Sequence, residues 1–317
     1  MSLRAIKLVA ILLTVGAATA SACINTLRSD LYMYKSQSDA ERVKEVVAKL
    51  EEEYREDPTL ETTNDLAVGR VFAGRYDDAI ALLREAETKF PGNAVVAANM
   101  GTAFELAGND DEALRWISEG VRRDPKEHVG SEWLHVRILE AKIALAKDPD
   151  WLRTHTVLGV KFGTDPVPVR SGELPKDERG VSRTVRDVVR AIDYQLGERT
   201  TFVKPPDAVV ADLYAAGGDL IWANGKARTL DDHLGYPEFY YESALEYSAN
   251  AAQSLVETRM ASFKTMFPNS SWVPPPSPQV ASKQGGTNPG RGQLWLIVGV
   301  VVMLAVGAAF LLRPRKP

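Results

Sequence analysis

The sequence predicts an all-α chain: helical hairpins stacked as an α-solenoid, with an irregular mid-region and one C-terminal transmembrane helix. Three observations carry that prediction. Gly74, Tyr76, Ala79, Ala86 and Pro91 recur 34 residues later as Gly108, Asp110, Ala113, Gly120 and Pro125. Apolar residues on either side of those blocks keep helical spacing. Residues 294–312 run for 19 positions without a charge.

At the N-terminus, residues 1–22 read as a signal peptide. Arg4 and Lys7 precede an apolar stretch from Leu8 to Val15, and Ala20-Ser21-Ala22 forms an A-x-A cleavage site. Ala20-Ser21-Ala22-Cys23 also resembles a bacterial lipobox, with Ala20 where leucine is usual. Cys23 is therefore a candidate for lipidation, the alternative being a plain free thiol. As the only cysteine, it excludes an internal disulfide.

Residues 23–59 hold a leading helix, capped by Asp39 and running to about Arg55. Val43, Val46, Val47, Leu50 and Tyr54 share one face, and Pro58 ends it like the second helix of a degenerate repeat. Two full repeats fill residues 60–127. Each is expected to be a helix, a tight turn at Gly74 or Gly108, and a second helix that ends before Pro91 or Pro125. Ala79, Ala86, Ala113 and Gly120 let the paired helices approach, and Leu66, Leu83, Met100, Phe104 and Leu114 fill between them. The blocks GRYDDAIALLREAETKFPGN and GNDDEALRWISEGVRRDPKE resemble tetratricopeptide repeats, departing at Asp110, where an aromatic is usual, and at Gly120, where alanine is usual. With the WLHVRILEAKIALAKDPDWL stretch, the chain is similar to bacterial membrane-associated proteins of that class. The resemblance implies stacked hairpins and a general protein-binding role.

Residues 128–267 form a divergent helical region. Ser131 to Lys147 reads as a third first-helix, with Trp133, Leu134, Ile138, Ala141 and Leu145 buried. An alternating apolar segment follows around Val157, Leu158, Val160 and Phe162. Residues 163–181 are a Pro/Gly-rich loop, longer than ordinary connections, which often signals function or mobility. A helix beginning near Ser182 buries Val185, Val188, Val189, Ile192 and Leu196 and is expected to stop at Gly197. A divergent hairpin then runs from Asp207, through an insertion at 225–235, to a helix with Ala244 as its small residue, and a last helix reaches about Phe267.

Residues 268–293 are a Pro/Gly/Ser-rich linker. The apolar run 294–312 spans roughly 28 Å as a helix, close to the hydrocarbon thickness of a bilayer. Arg313, Arg315 and Lys316 in the tail 313–317 place that tail in the cytoplasm by the positive-inside rule. Signal peptide and tail agree on a single-pass membrane protein with its body on the periplasmic or extracellular side. The chain carries a net charge of −4, yet its two apolar ends contribute only positive residues, so the body is more acidic still. That argues against nucleic acid as a partner.

Residues for catalysis are sparse. The histidines (His128, His135, His155, His233) lack zinc-ligand spacing, and no nucleophile elbow or phosphate loop occurs. Asp77-Asp78 and Asp110-Asp111-Glu112 are explained as acidic first turns of helices. No cofactor, metal or catalytic residue is expected. In the resemblance, first helices line a concave groove, which selects Asn64, Val68, Val71 and Phe72 in the first repeat and Ala98, Thr102 and Glu105 in the second. A groove of this kind suits protein or peptide segments. Val68 stands where an asparagine would be needed to clamp a C-terminal carboxylate. The expected function is a membrane-anchored scaffold in envelope assembly or secretion. The alternatives are an enzyme or enzyme subunit with a site in 150–235, where Asp231-Asp232-His233 lies, and a structural spacer whose groove is filled by its own chain.

Overall fold

Thr59 opens the first hairpin. In the computed structural model its side chain accepts from the Thr62 N–H while Thr62 bonds back to the Thr59 N–H, a reciprocal cap that fixes the start of a helix. The structure describes residues 24–27, 40–224, 236–248, 253–268 and 270. Contacts divide the chain into Met1–Trp272 and Val273–Pro317, and every described residue lies in the first unit. Residues 1–23, with Cys23, residue 269, the linker from 271 and the 294–312 span lie outside the described residues, as do Asp231, Asp232 and His233. Among the described residues no helix is long and apolar enough to cross a membrane.

The chain order is α1 (Ala40–Glu56), α2 (Leu60–Phe72), α3 (Tyr76–Lys89), α4 (Ala94–Leu106), α5 (Asp110–Arg123), a single distorted turn α6 (Glu127–Gly130), α7 (Glu132–Lys147), α8 (Val185–Phe202), α9 (Ala208–Ala223), α10 (Pro237–Tyr247) and α11 (Gln253–Met266). Consecutive elements from α1 to α5 pack side by side, α7 stacks on α5, and α9 pairs with α10. The two repeats are thus the hairpins α2–α3 and α4–α5, turned at Gly74 (φ 71°) and Gly108 (φ 81°), where a side chain would be strained.

Small residues set how close the helices come. Ala79, Ala86 and Ala113 are fully buried. The tightest approach is at Gly101 of α4: a Cβ there would lie 2.5 Å from Ile117 Cγ1 and 2.9 Å from the Ile117 backbone nitrogen in α5. At Gly120 the nearest atom to a Cβ is the Ala98 nitrogen at 3.4 Å. Gly101→Ala is therefore expected to destabilise the fold by about 1–3 kcal/mol through overpacking, while Gly120→Ala stays near neutral. Thermal melts of both variants check the contrast.

Two apolar cores meet at α7. Leu66, Leu83, Met100, Ile117 and Leu139 belong to the first, while Leu134, Ile138, Val188, Ile192, Leu220 and Phe263 belong to the second. Val157, Leu158, Val160 and Phe162 are all buried in the second core, so the alternating segment after α7 is a packed connection. The long 163–181 loop carries only single antiparallel bridges, Lys161 with Ser171 and Lys176 with Ser182.

Helix α8 begins on a Thr184–Asp187 capping box and corrects one expectation. It does not stop at Gly197 but runs to Phe202. A glycine costs roughly 1 kcal/mol within a helix. Beyond Gly197 the last turn carries Arg199 and Phe202, which reach the repeats, and that tertiary contact outweighs the local cost.

Candidate functional site: the concave face of the repeats

The face of α2 and α4 selected from the sequence is occupied by the chain itself. Residues 24–27, from just beyond the expected signal peptide, lie across it. The Asn99 carboxamide grips Asn25 at both ends of its main chain: Asn25 N donates to Asn99 Oδ1 at 2.8 Å, and Asn99 Nδ2 donates to Asn25 O at 2.8 Å. Asn64 Nδ2 donates to the same carbonyl at 2.8 Å. Leu27 N donates to Asp65 Oδ1 at 2.8 Å. Asn99 Nδ2 also bonds Asn64 Oδ1 at 2.7 Å, which ties the two helices together beneath the strap.

Asp65 and Asn99 stand one 34-residue period apart. Equivalent positions of successive repeats thus read N–H groups two residues apart, the period at which an extended chain turns its groups to one side. The side chains add two contacts. Ile24 is 1% exposed and joins the first core. Asn25 Nδ2 donates to Glu127 Oε1 at 2.6 Å.

Glu127 comes from the distorted turn. His128 (φ 51°) and Val129 (φ 59°) both adopt the left-handed region, which is costly for a β-branched residue, and Val129 is 77% exposed. The turn is braced by His128, buried and 2.7 Å from Glu132 Oε1 through its Nδ1. His128 lies before α7, outside helical geometry, so it does not share a helix face with His135.

The other end of the face is closed by α8. Phe72 packs on Phe202 with ring centroids 5.3 Å apart. Thr102 donates to the Ala98 carbonyl at 3.1 Å. Glu105 accepts from Arg199 at 2.5 Å and from Lys142 at 2.9 Å, and lies 2.8 Å from His135 Nε2. Burial opposes the charge on Glu105, but Arg199 first, then His135 and Lys142, hold its carboxyl well below the usual range. Glu132 is likewise buried, and His128 and His135 push its carboxyl down. Burial pulls the Lys142 amine down, but Glu105 and Asp110 outweigh it and raise it. Asp110, the departure from the repeat pattern, is Lys142's second partner at 2.7 Å. Between α4 and α8 a cavity of about 30 Å³ remains, beside Thr102, Glu105, His135, Arg199 and Phe202. That holds about one water and no peptide.

The seven selected residues have three different surroundings. Asn64 grips the strap, Val68 and Val71 are buried in the first core and Ala98 beside Gly120 of α5, and Phe72 and Glu105 meet Phe202 and Arg199 of α8, with Thr102 lining the small cavity next to them. Sequence reasoning passed over Asp65, Asn99, Glu127 and the strap. A signal was present: TTNDLAV and AANMGTA each place an asparagine or aspartate mid-helix among apolar and small residues, at matching repeat positions.

Residues 73–131, from the turn before α3 through the distorted turn, match the family model of the tetratricopeptide repeat. This chain contains tetratricopeptide repeats. Such repeats are protein-interaction scaffolds. No curated protein matches the repeat protein significantly. Among the described residues, no three histidine, cysteine or carboxylate side chains gather as a metal site. The described histidines all have partners: His155 stacks on Trp151 at 4.6 Å, His128 pairs with Glu132, and His135 reaches Glu105 of α4.

Proposed function

We propose that the repeat protein is a non-enzymatic adaptor of bacterial envelope assembly or secretion. Residues 294–312 anchor it in the cell membrane, its body lies on the periplasmic or extracellular side, and its groove engages protein segments. The observation that carries the binding role is the use of equivalent repeat positions, Asp65 and Asn99, to hold alternate main-chain N–H groups of residues 24–27. Such a grip is indifferent to most side chains and suits peptide segments. The topology rests on the uncharged span and its basic tail. The same strap favours a purely structural spacer as the second reading.

Photo-crosslinking in intact cells separates the two. Lys126 is exposed and adjoins Glu127, which bonds the strap, and Arg115 is exposed on α5. A photoreactive residue at position 126 of the full chain is expected to trap a second protein, and one at 115 is not. Adducts confined to the chain itself at both positions would leave the spacer reading standing. Protease added to spheroplasts is expected to digest the body and spare a tag on the tail.

A further inference from the structure

We propose that residues 24–27 are a resident, exchangeable ligand of the groove, and that the partner which replaces them is an extended peptide carrying an aliphatic residue followed by asparagine. The proposal rests on the adaptor reading and adds to it the ligand pattern and the state of the groove without a partner.

The polar floor argues for exchange and against an empty groove. Asn64, Asp65 and Asn99 are at most 1% exposed and sit in the middle of α2 and α4, away from the helix ends. Their carboxamides and carboxylate meet the strap through Asn25 N, Asn25 O and Leu27 N. Lifting the strap without a replacement strips these buried groups of main-chain partners, which is costly. A peptide that supplies the same main-chain groups restores every one of these bonds.

The pattern comes from the two side chains that are read. The Ile24 position is enclosed among apolar side chains of the first core. At the next position Glu127 accepts from the Asn25 amide. An aspartate there would set two carboxylates at contact distance and be rejected. Thr26 and Leu27 are only half-buried, so the third and fourth positions tolerate variation. Since α8 covers Phe72 and Glu105 and borders the small cavity lined by Thr102, the window is about as long as the strap itself.

The hold on the strap is also modest. One buried aliphatic side chain and five hydrogen bonds stand against the ordering of four residues, two contributions of similar size.

The test uses the full chain in detergent and a labelled octapeptide with the sequence of residues 22–29, serine replacing Cys23. The peptide is expected to bind Asn25→Ala at least about ten-fold tighter than wild type, because the competing strap is weakened. Binding is expected to vanish for Asn25→Ala/Asn99→Ala and for a peptide with aspartate at the asparagine position. Hydrogen exchange on wild type gives a readout independent of whether the variants fold: saturating peptide is expected to speed exchange of the Asn25 and Leu27 amides. Unchanged exchange, or equal affinity for wild type and Asn25→Ala, overturns the proposal. A foreign adduct at position 126 together with unchanged strap exchange would sink this inference and leave the adaptor reading intact.

Discussion

Glu105→Gln is expected to destabilise the repeat protein by about 3–5 kcal/mol, since it leaves Arg199 and Lys142 without their shared carboxylate in a site where Arg199 is only 8% exposed. At roughly 2–4 °C per kcal/mol for a chain of this size, the melting temperature should fall by about 10 °C. The loss should open the α8 end of the groove first, seen as faster exchange of amides near Phe202. Replacing both partners, Glu105→Gln with Arg199→Met, should recover part of the loss, because the double variant buries no unpaired charge. The pH dependence has a definite sign. The Glu105 carboxyl is held below its ordinary value of 4.5, so the folded state binds fewer protons than the unfolded state in acid. Its contribution is fully present above about pH 4.5 and is lost as pH falls through the folded value. Denaturant melts from pH 7 to pH 3 should show a shallower acid loss for Glu105→Gln than for wild type. Glu132, depressed in the same way by His128 and His135, keeps part of that loss in the variant.

Arg259→Ala is expected to have an effect of similar size, about 3–5 kcal/mol, confined to the second core. Arg259 Nη1 pairs with Asp219 of α9, and Nη2 donates to the carbonyls of Gly163 at 2.7 Å and Phe162 at 3.2 Å. One guanidinium thus ties α11 to α9 and to the start of the 163–181 loop. Arg259→Lys should rescue poorly, since a single ammonium cannot serve carboxylate and carbonyls in that fork geometry. Burial first, offset by Arg259 and then Tyr241, pushes the Asp219 carboxyl up to about 6. Without Arg259 it rises further. An acid whose folded value lies above its unfolded value of 3.8 binds more protons folded than unfolded, so stability falls as pH rises through that window. The variant should therefore lose more stability at pH 8 than at pH 5, and exchange at residues 159–165 should report where the fold opens.

The two predictions mark where the sequence was readable. Capping residues, turn glycines and closing prolines act over a few positions, so α1 to α5 and α7 follow the sequence expectation to within a residue or two. The Asp77-Asp78 and Asp110-Asp111-Glu112 pairs likewise sit in first turns. The failure at Gly197 is of a different kind. Its local tendency to end a helix was read correctly but outweighed by Arg199 and Phe202, whose partners Glu105 and Phe72 lie far back in the chain.

The candidate site was legible as a surface but not as a state. Of the selected residues, Asn64 meets the strap and Phe72 and Glu105 meet α8, while Val68 and Val71 are taken up by the first core. What covers that surface was not legible. Asn25 reaches Asn99 across 74 residues, and Arg199 reaches Glu105 across 94. The mid-helix Asp65 and Asn99 mark a need for polar partners, but no periodic mark in the sequence says which distant residue supplies them.

By itself the sequence determined the helices, their turns, the 34-residue repeat and the wall it builds, since each depends on propensity, caps and apolar spacing along the chain. Only the tertiary structure decided that the wall is occupied, by residues 24–27 at one end and by α8 at the other. The physical reason is that buried Asn64, Asp65, Asn99 and Glu105 must find hydrogen-bond or charge partners, and a folded chain supplies them from wherever its path brings them near.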